Sequence, residues 1–243
     1  MPEIELKNIS KNFKIGFKKN QSFLSRILSI LGKESQKTVR AVDNVSFSLV
    51  PNEIIGIMGS NGSGKSTLLR TMAGIYKHDG GLIETNGKIV SLIGLVPGFK
   101  DRLTMRENIF LVGAFFELSA KEVKIKFNSI VEFSGLEKFV ETKLYQFSSG
   151  MMERLAFSIA VHAKPDILLL DEVFEVGDPD FKRKSALRII ELARGGCIVV
   201  LVSHNPDLVK KYCTRAIFMS KGRVINDGSP QEVINAYINF KPD

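Results

Sequence analysis

The 243-residue sequence predicts an α/β fold: a core of mostly parallel strands, a β-rich edge and an inserted helical block. Three observations predict it. The apolar run Ile54 to Met58 leads straight into a glycine- and serine-rich loop and then a helical segment, Thr67 to Ala73. Two more short apolar runs, Ile167 to Leu170 and Ile198 to Val202, have the length and composition of buried strands. Between the first run and these two lies a long stretch of helical periodicity, Met105 to about Phe139.

Taken in order, the elements begin with strands at Ile4 to Ile9 and Val45 to Leu49, which form the β-rich edge ahead of Ile54 to Met58. A further strand is expected at Lys88 to Leu92. The helical block follows, with apolar positions at Ile109, Val112, Phe115 and Phe116 and then at Val123, Phe127, Ile130 and Val131. An amphipathic helix is expected from Met152 to Ala163 and another from Pro230 to Asn239.

The loop after the first apolar run, Gly59-Ser60-Asn61-Gly62-Ser63-Gly64-Lys65-Ser66-Thr67, fits the P-loop pattern G-x-x-x-x-G-K-[ST] at every fixed position. Small residues let backbone N–H groups turn inward around phosphate oxygens. Lys65 reaches the terminal phosphates, and the Ser66 hydroxyl is placed to ligate Mg²⁺. The chain is thus expected to bind a nucleoside triphosphate. The run Ile167 to Leu170 ends in two adjacent carboxylates, Asp171 and Glu172. Successive side chains at a strand end point to opposite faces, so the pair can divide two tasks. Asp171 would hold Mg²⁺ opposite Ser66, and Glu172 would polarise the attacking water.

With 44% hydrophobic residues the chain can bury one large α/β body. Cys197 and Cys213 read as reduced structural thiols of a cytosolic protein, without metal-ligand spacing. No apolar stretch is long enough to cross a bilayer, and Met1 to Glu5 lacks a signal-peptide layout. The net charge of +8 is concentrated. Residues 11 to 40 carry eight basic side chains and one acid, Glu34, around a short amphipathic pattern of Phe23, Leu24, Ile27, Leu28 and Leu31. This segment fits a solvated insertion, and it equally fits a cationic element near anionic lipid headgroups.

Phe147-Ser148-Ser149-Gly150-Met151, between the P-loop and the acidic pair, opens the expected helix. Here the sequence resembles the ATP-binding subunits of ABC transporters, whose signature loop usually reads L-S-G-G-Q. The resemblance covers Ile4 to about Tyr237. It implies a RecA-like P-loop NTPase core with an antiparallel β subdomain and an inserted α-helical subdomain, all one domain over residues 1–243. The helical subdomain would span about 99–160 and the basic insertion about 18–37. It also implies that Ser148, Ser149 and Gly150 bind the ATP held by the P-loop of a second copy, in a head-to-tail homodimer. Val176-Gly177-Asp178 matches the loop whose Asp couples the two sites, and Ser203-His204-Asn205 matches the switch-histidine loop. Phe13 takes the place of the aromatic that stacks on adenine; Phe17 is an alternative, as is simple core packing.

The form S-S-G-M, with Gly98 to Ile109 reading G-F-K-D-R-L-T-M-R-E-N-I, is similar to the exporters of bacterial surface polysaccharides. That implies ATP and Mg²⁺, a permease partner in the membrane docked near Gly98 to Phe116, and a lipid-linked glycan handled indirectly. It also implies a peripheral place on the cytoplasmic face of the inner membrane, with no nucleic acid. Gly98 stands where many relatives carry a Mg²⁺-sensing glutamine, and Glu175 replaces a usually small residue. No carbohydrate-recognising module is expected after Pro230 to Asn239. Teichoic-acid, capsule and small-solute transport remain open for the cargo. A soluble ABC ATPase acting on nucleic acid, or a module that hydrolyses little, belongs to a different class. The first would need coiled-coil insertions or tandem cassettes, and Glu172 and His204 argue against the second.

Overall fold

A computed structural model describes residues 3–15, 37–94, 98–171 and 178–240. The basic insertion, except for its last residue Lys37, lies outside the described residues, as do Phe17, Glu172, Val176 and Gly177.

Two sheets carry the fold. The first is antiparallel, in the order β2 (Lys37–Leu49), β1 (Glu3–Ile15), β4 (Gly80–Asn86). Sequence patterning located only Ile4 to Ile9 and Val45 to Leu49 of this sheet. The paired ribbon in fact continues through irregular registers to Ile15 opposite Lys37. The second sheet has six strands in the order β5 (Ile89–Leu92), β6 (Ile167–Asp171), β7 (Ile198–Val202), β3 (Ile54–Met58), β8 (Arg215–Ser220), β9 (Arg223–Gly228). All its pairings are parallel except that of β8 with β9.

Alternation along the parallel strands divides the core in two. Leu168, Leu170, Val199 and Leu201 pack on the side of the helical insertion. Ile167, Leu169, Val200, Ile55 and Ile57 pack toward α1 (Lys65–Met72) and the antiparallel sheet. A strand buried on both faces must read as a continuous apolar run, which is why β3 and β7 match the sequence expectation to the residue.

The helical block proves to be two helices. α2 (Met105–Phe115) and α3 (Ala120–Ser134) are separated where Glu117 takes a φ of 59°. Each starts with a capping box, Thr104 with Glu107 and Ser119 with Glu122, so two free N–H groups of each first turn are satisfied. α4 (Ser149–His162) starts three residues before the expected Met152, because the Ser148 hydroxyl accepts the Met151 N–H and caps the helix. α5 (Pro179–Arg194), α6 (Pro206–Tyr212) and α7 (Pro230–Asn239) complete the described helices. Cys197 lies just before β7, and burial pushes both Cys197 and Cys213 thiols up to about 12. A thiol held that high is little ionised at neutral pH. Among the described residues no helix is long and apolar enough to cross a membrane.

Candidate nucleotide site

The parallel strands place their C-terminal ends on one edge, the expected location for a ligand in an open α/β sheet. β3 ends at Met58, the glycine-rich loop wraps over, and α1 begins at Lys65. Gly64 has a φ of 105°, and a Cβ there would run into the Ala41 carbonyl oxygen. The loop is therefore pressed against β2 so closely that only glycine fits. Lys65 is nearly buried, and its Nζ donates to the carbonyls of Gly59 at 2.8 Å and Ser60 at 3.0 Å. The ammonium is held over the loop, where it would neutralise a phosphate.

On the far side of β7, β6 brings Asp171 to the same edge, and the Ser66 hydroxyl donates to Asp171 Oδ1 at 3.1 Å. Arg70 Nη2 lies 4.0 Å from the other carboxylate oxygen. A hydroxyl and a carboxylate are hard oxygen ligands, so the pair fits Mg²⁺. Among the described residues no group of three or more His, Cys, Asp or Glu could hold a metal. Mg²⁺ is usually held by one or two protein oxygens, substrate phosphates and water.

Asn61, Gly62, Gly64, Lys65, Ser66, Thr67 and Asp171 line a single cleft of about 780 Å³. His204 is exposed just past the end of β7, two positions beyond Val202, which pairs with Asp171. Asn205 turns its side chain back to cap α6. The cleft thus unites the loop and the acidic strand end, with the histidine at the neighbouring strand end. Glu172, one residue past Asp171, lies outside the described residues.

Phe13 sits in β1 opposite Val39, which lines the cleft, but its own ring meets Tyr76 edge-on with centroids 5.5 Å apart. Phe13 thus packs on Tyr76 beside the strand that lines the cleft.

The signature residues form a separate group. Ser148 and Ser149 are exposed at the start of α4, and none of Ser148 to Gly150 lines the cleft. Asp178 caps α5 by accepting the Phe181 N–H at 2.9 Å, and that bond, with Arg154 alongside, holds its carboxyl below the usual range. Sequence reasoning missed Arg154. It donates to Asp178 Oδ2 and to the Ser134 carbonyl, both at 3.0 Å, and stacks its guanidinium on Phe181 at 5.0 Å. One side chain of α4 thus joins the end of α3 to the cap of α5. Its signal was its place in the first turns after Ser148, but its partners are brought by the fold.

The family model for ABC transporters matches residues 42–175. The chain belongs to the ABC transporter family. Curated relatives of this ABC chain include the O-antigen export system ATP-binding protein RfbB of Klebsiella pneumoniae, 37% identical, with 81% of this chain and 80% of that protein covered. They also include the teichoic acids export ATP-binding protein TagH of Lactococcus lactis, 36% identical over 98% of this chain and 51% of that protein. The chain spans about half to two thirds of the length of several curated relatives it matches. A dimeric ATP-binding cassette solved in a post-hydrolysis state with ADP and Pi superposes with a TM-score of 0.76 at 23% identity, covering 93% of this chain and 98% of that one. That likeness establishes the ABC cassette fold.

Proposed function

We propose that this chain is the ATP-hydrolysing subunit of an exporter that moves a lipid-linked surface polysaccharide across the inner membrane. The observation that carries the catalytic reading is the joined cleft, in which Lys65, Ser66 and Asp171 converge from the ends of β3 and β6, the two strands that flank β7. The export reading rests on relatives named for O-antigen and teichoic-acid export. The whole chain acts as one ATP-binding domain, with a helical subdomain over about 99–160.

In this mechanism the P-loop N–H groups and Lys65 hold the phosphates, and Phe13 supports the base. Ser66 and Asp171 would hold Mg²⁺, which neutralises phosphate charge when bound. Glu172 accepts a proton as a water oxygen bonds to the γ-phosphorus. The bond from that phosphorus to the bridging oxygen breaks, and ADP keeps the electron pair. His204 contacts the transferring phosphate from the end of β7. Ser148, Ser149 and Gly150 of a second copy close the site, and Asp178 couples the two copies. ATP favours the closed pair and ADP does not, so turnover drives a cycle of closing and opening. A permease in the membrane docks near Gly98 to Phe116, placing the subunit on the cytoplasmic face.

The test uses two variants of the full chain. Lys65→Ala should lose ATP binding or turnover by at least about 100-fold. Glu172→Gln should bind ATP and accumulate as a closed pair in light scattering; hydrolysis at the wild-type rate removes Glu172 from its role. Polymer export is read separately. Deleting the gene should trap the glycan inside the cell, and normal surface polymer would overturn that part alone.

A further inference from the structure

β8 and β9 are joined by a two-residue turn, Lys221-Gly222, whose φ angles are 48° and 81°. Positive φ at both central positions is the type I′ hairpin turn. Its first position favours Asn, Asp or Gly, because a left-handed backbone crowds the Cβ of other residues. Lysine is an unfavourable choice on local grounds. A residue kept in a costly backbone geometry invites a functional reason when it borders a site.

This turn borders the nucleotide cleft and is fastened in place. The Gly222 N–H donates to the Ser63 carbonyl at 2.9 Å, tying the turn to the P-loop. Its carbonyl accepts the Asp43 N–H at 2.9 Å, tying it to β2. The Asp43 carboxylate takes Arg223 Nε at 2.6 Å and Arg40 Nη1 at 3.0 Å, so the residue after the turn and the β2 wall share one anchor. Lys221, exposed, lines the cleft together with Arg40 of β2 and with Asn61 and Gly62 of the P-loop. The P-loop motif includes neither cation. They come from two different sheets, are both exposed, and line the cleft that also holds the nearly buried Lys65.

We infer that Lys221, with Arg40 beside it, is a phosphate-binding residue at the rim of the nucleotide cleft. Lys65 acts on the phosphates from within the loop, where it is shielded. Lys221 acts from the solvent side, so its contribution fades with salt. The inference rests on the reading of this cleft as the nucleotide site.

The experiment compares Lys221→Gly and Lys221→Arg with wild type, measuring ATP affinity by fluorescent-nucleotide displacement and thermal midpoint in parallel. Glycine adopts a φ of 48° without strain, so Lys221→Gly should melt no lower than wild type. Its Kd for ATP should nevertheless rise about fivefold at low salt, with the ratio shrinking toward one at high salt. Lys221→Arg should keep most of the affinity. An unchanged Kd in Lys221→Gly, or a loss that Lys221→Arg fails to restore, overturns the inference. Lys65→Ala run beside them separates the two readings. If it both binds and hydrolyses ATP normally the cleft assignment itself fails, whereas if it loses either and Lys221→Gly keeps its affinity, only the role of Lys221 falls.

Discussion

The P-loop and the signature segment use the same chemistry, small residues leading into a helix N-terminus, yet the fold treats them oppositely. The P-loop is walled in. β2 lies against Gly64, the β8–β9 turn is bonded to Ser63, and Lys65 is nearly buried. Ser148 and Ser149 stand exposed, and a Cβ on Gly150 would meet no atom within 4 Å among the described residues outside its own helix. One glycine is demanded by the chain itself and the other is not. A glycine in a helix costs stability relative to alanine, so packing within this copy does not account for Gly150, and the proposed pairing gives it a role. Among the described residues the contrast is between a walled cradle and an outward-facing cap.

The largest expected effect falls on the enclosed side. Gly64→Ala places a Cβ against the Ala41 carbonyl at a φ of 105°, and should destabilise the fold by roughly 2–4 kcal/mol while abolishing nucleotide binding. Urea unfolding and nucleotide titration check both. A variant with wild-type stability would mean the loop is not pinned against β2.

Arg154 ties the exposed group to the rest of the body, so its loss should cost less. Arg154→Ala removes the bond to the Ser134 carbonyl, the ion pair with Asp178 and the packing on Phe181. A loss of about 1–2 kcal/mol is expected, with ATP binding to the isolated chain retained. Protonation tests the same link. Because the folded Asp178 carboxyl titrates below its unfolded value of about 3.9, its contribution is full above that pH. It is lost as pH falls through the lower folded value. A stability difference between wild type and Asp178→Asn that stays constant from pH 6 down through acid unfolding would contradict this.

Smaller again is the cap itself. Ser148→Ala deletes the acceptor of the Met151 N–H and should cost about 1 kcal/mol in unfolding. Ser148→Asp keeps a capping oxygen, so its stability should stay near wild type. It also puts a carboxylate where a second copy's phosphate is expected, so ATP-dependent pairing should fail. Pairing that survives Ser148→Asp would argue that this end of α4 does not face phosphate.

The same contrast explains what could be read along the chain. The P-loop and the strand leading to Asp171 were legible because phosphate geometry fixes residue types at fixed spacing. β3 and β7 were legible because burial on both faces leaves no room for polar residues. β4 and β9 escaped notice because they are edge strands with polar and glycine-rich sequences, Gly80 to Asn86 and Arg223 to Gly228. The break between α2 and α3 was written in Ser119 and Glu122, a capping box inside an otherwise continuous helical periodicity. The partners of Arg154 and Lys221 could not have been found from spacing. Asp178 and Ser134 reach Arg154, and β2 reaches the Lys221 turn, only through contacts between distant segments.

The smallest effect on folding separates the two halves most sharply. Gly150→Ala sets a methyl group into open space in the first turn of α4 and should stabilise the isolated chain by about 0.5 kcal/mol. If the segment receives the phosphates of a second copy, that methyl stands between the helix N–H groups and their ligand. ATP-dependent pairing and hydrolysis should then fall by tenfold or more while ATP binding to the single chain is untouched. Opposite signs for stability and turnover are expected only of a glycine retained for a partner. Were hydrolysis unaffected, Gly150 would be a tolerated helix residue, and the second half of the site would have to lie elsewhere on the surface.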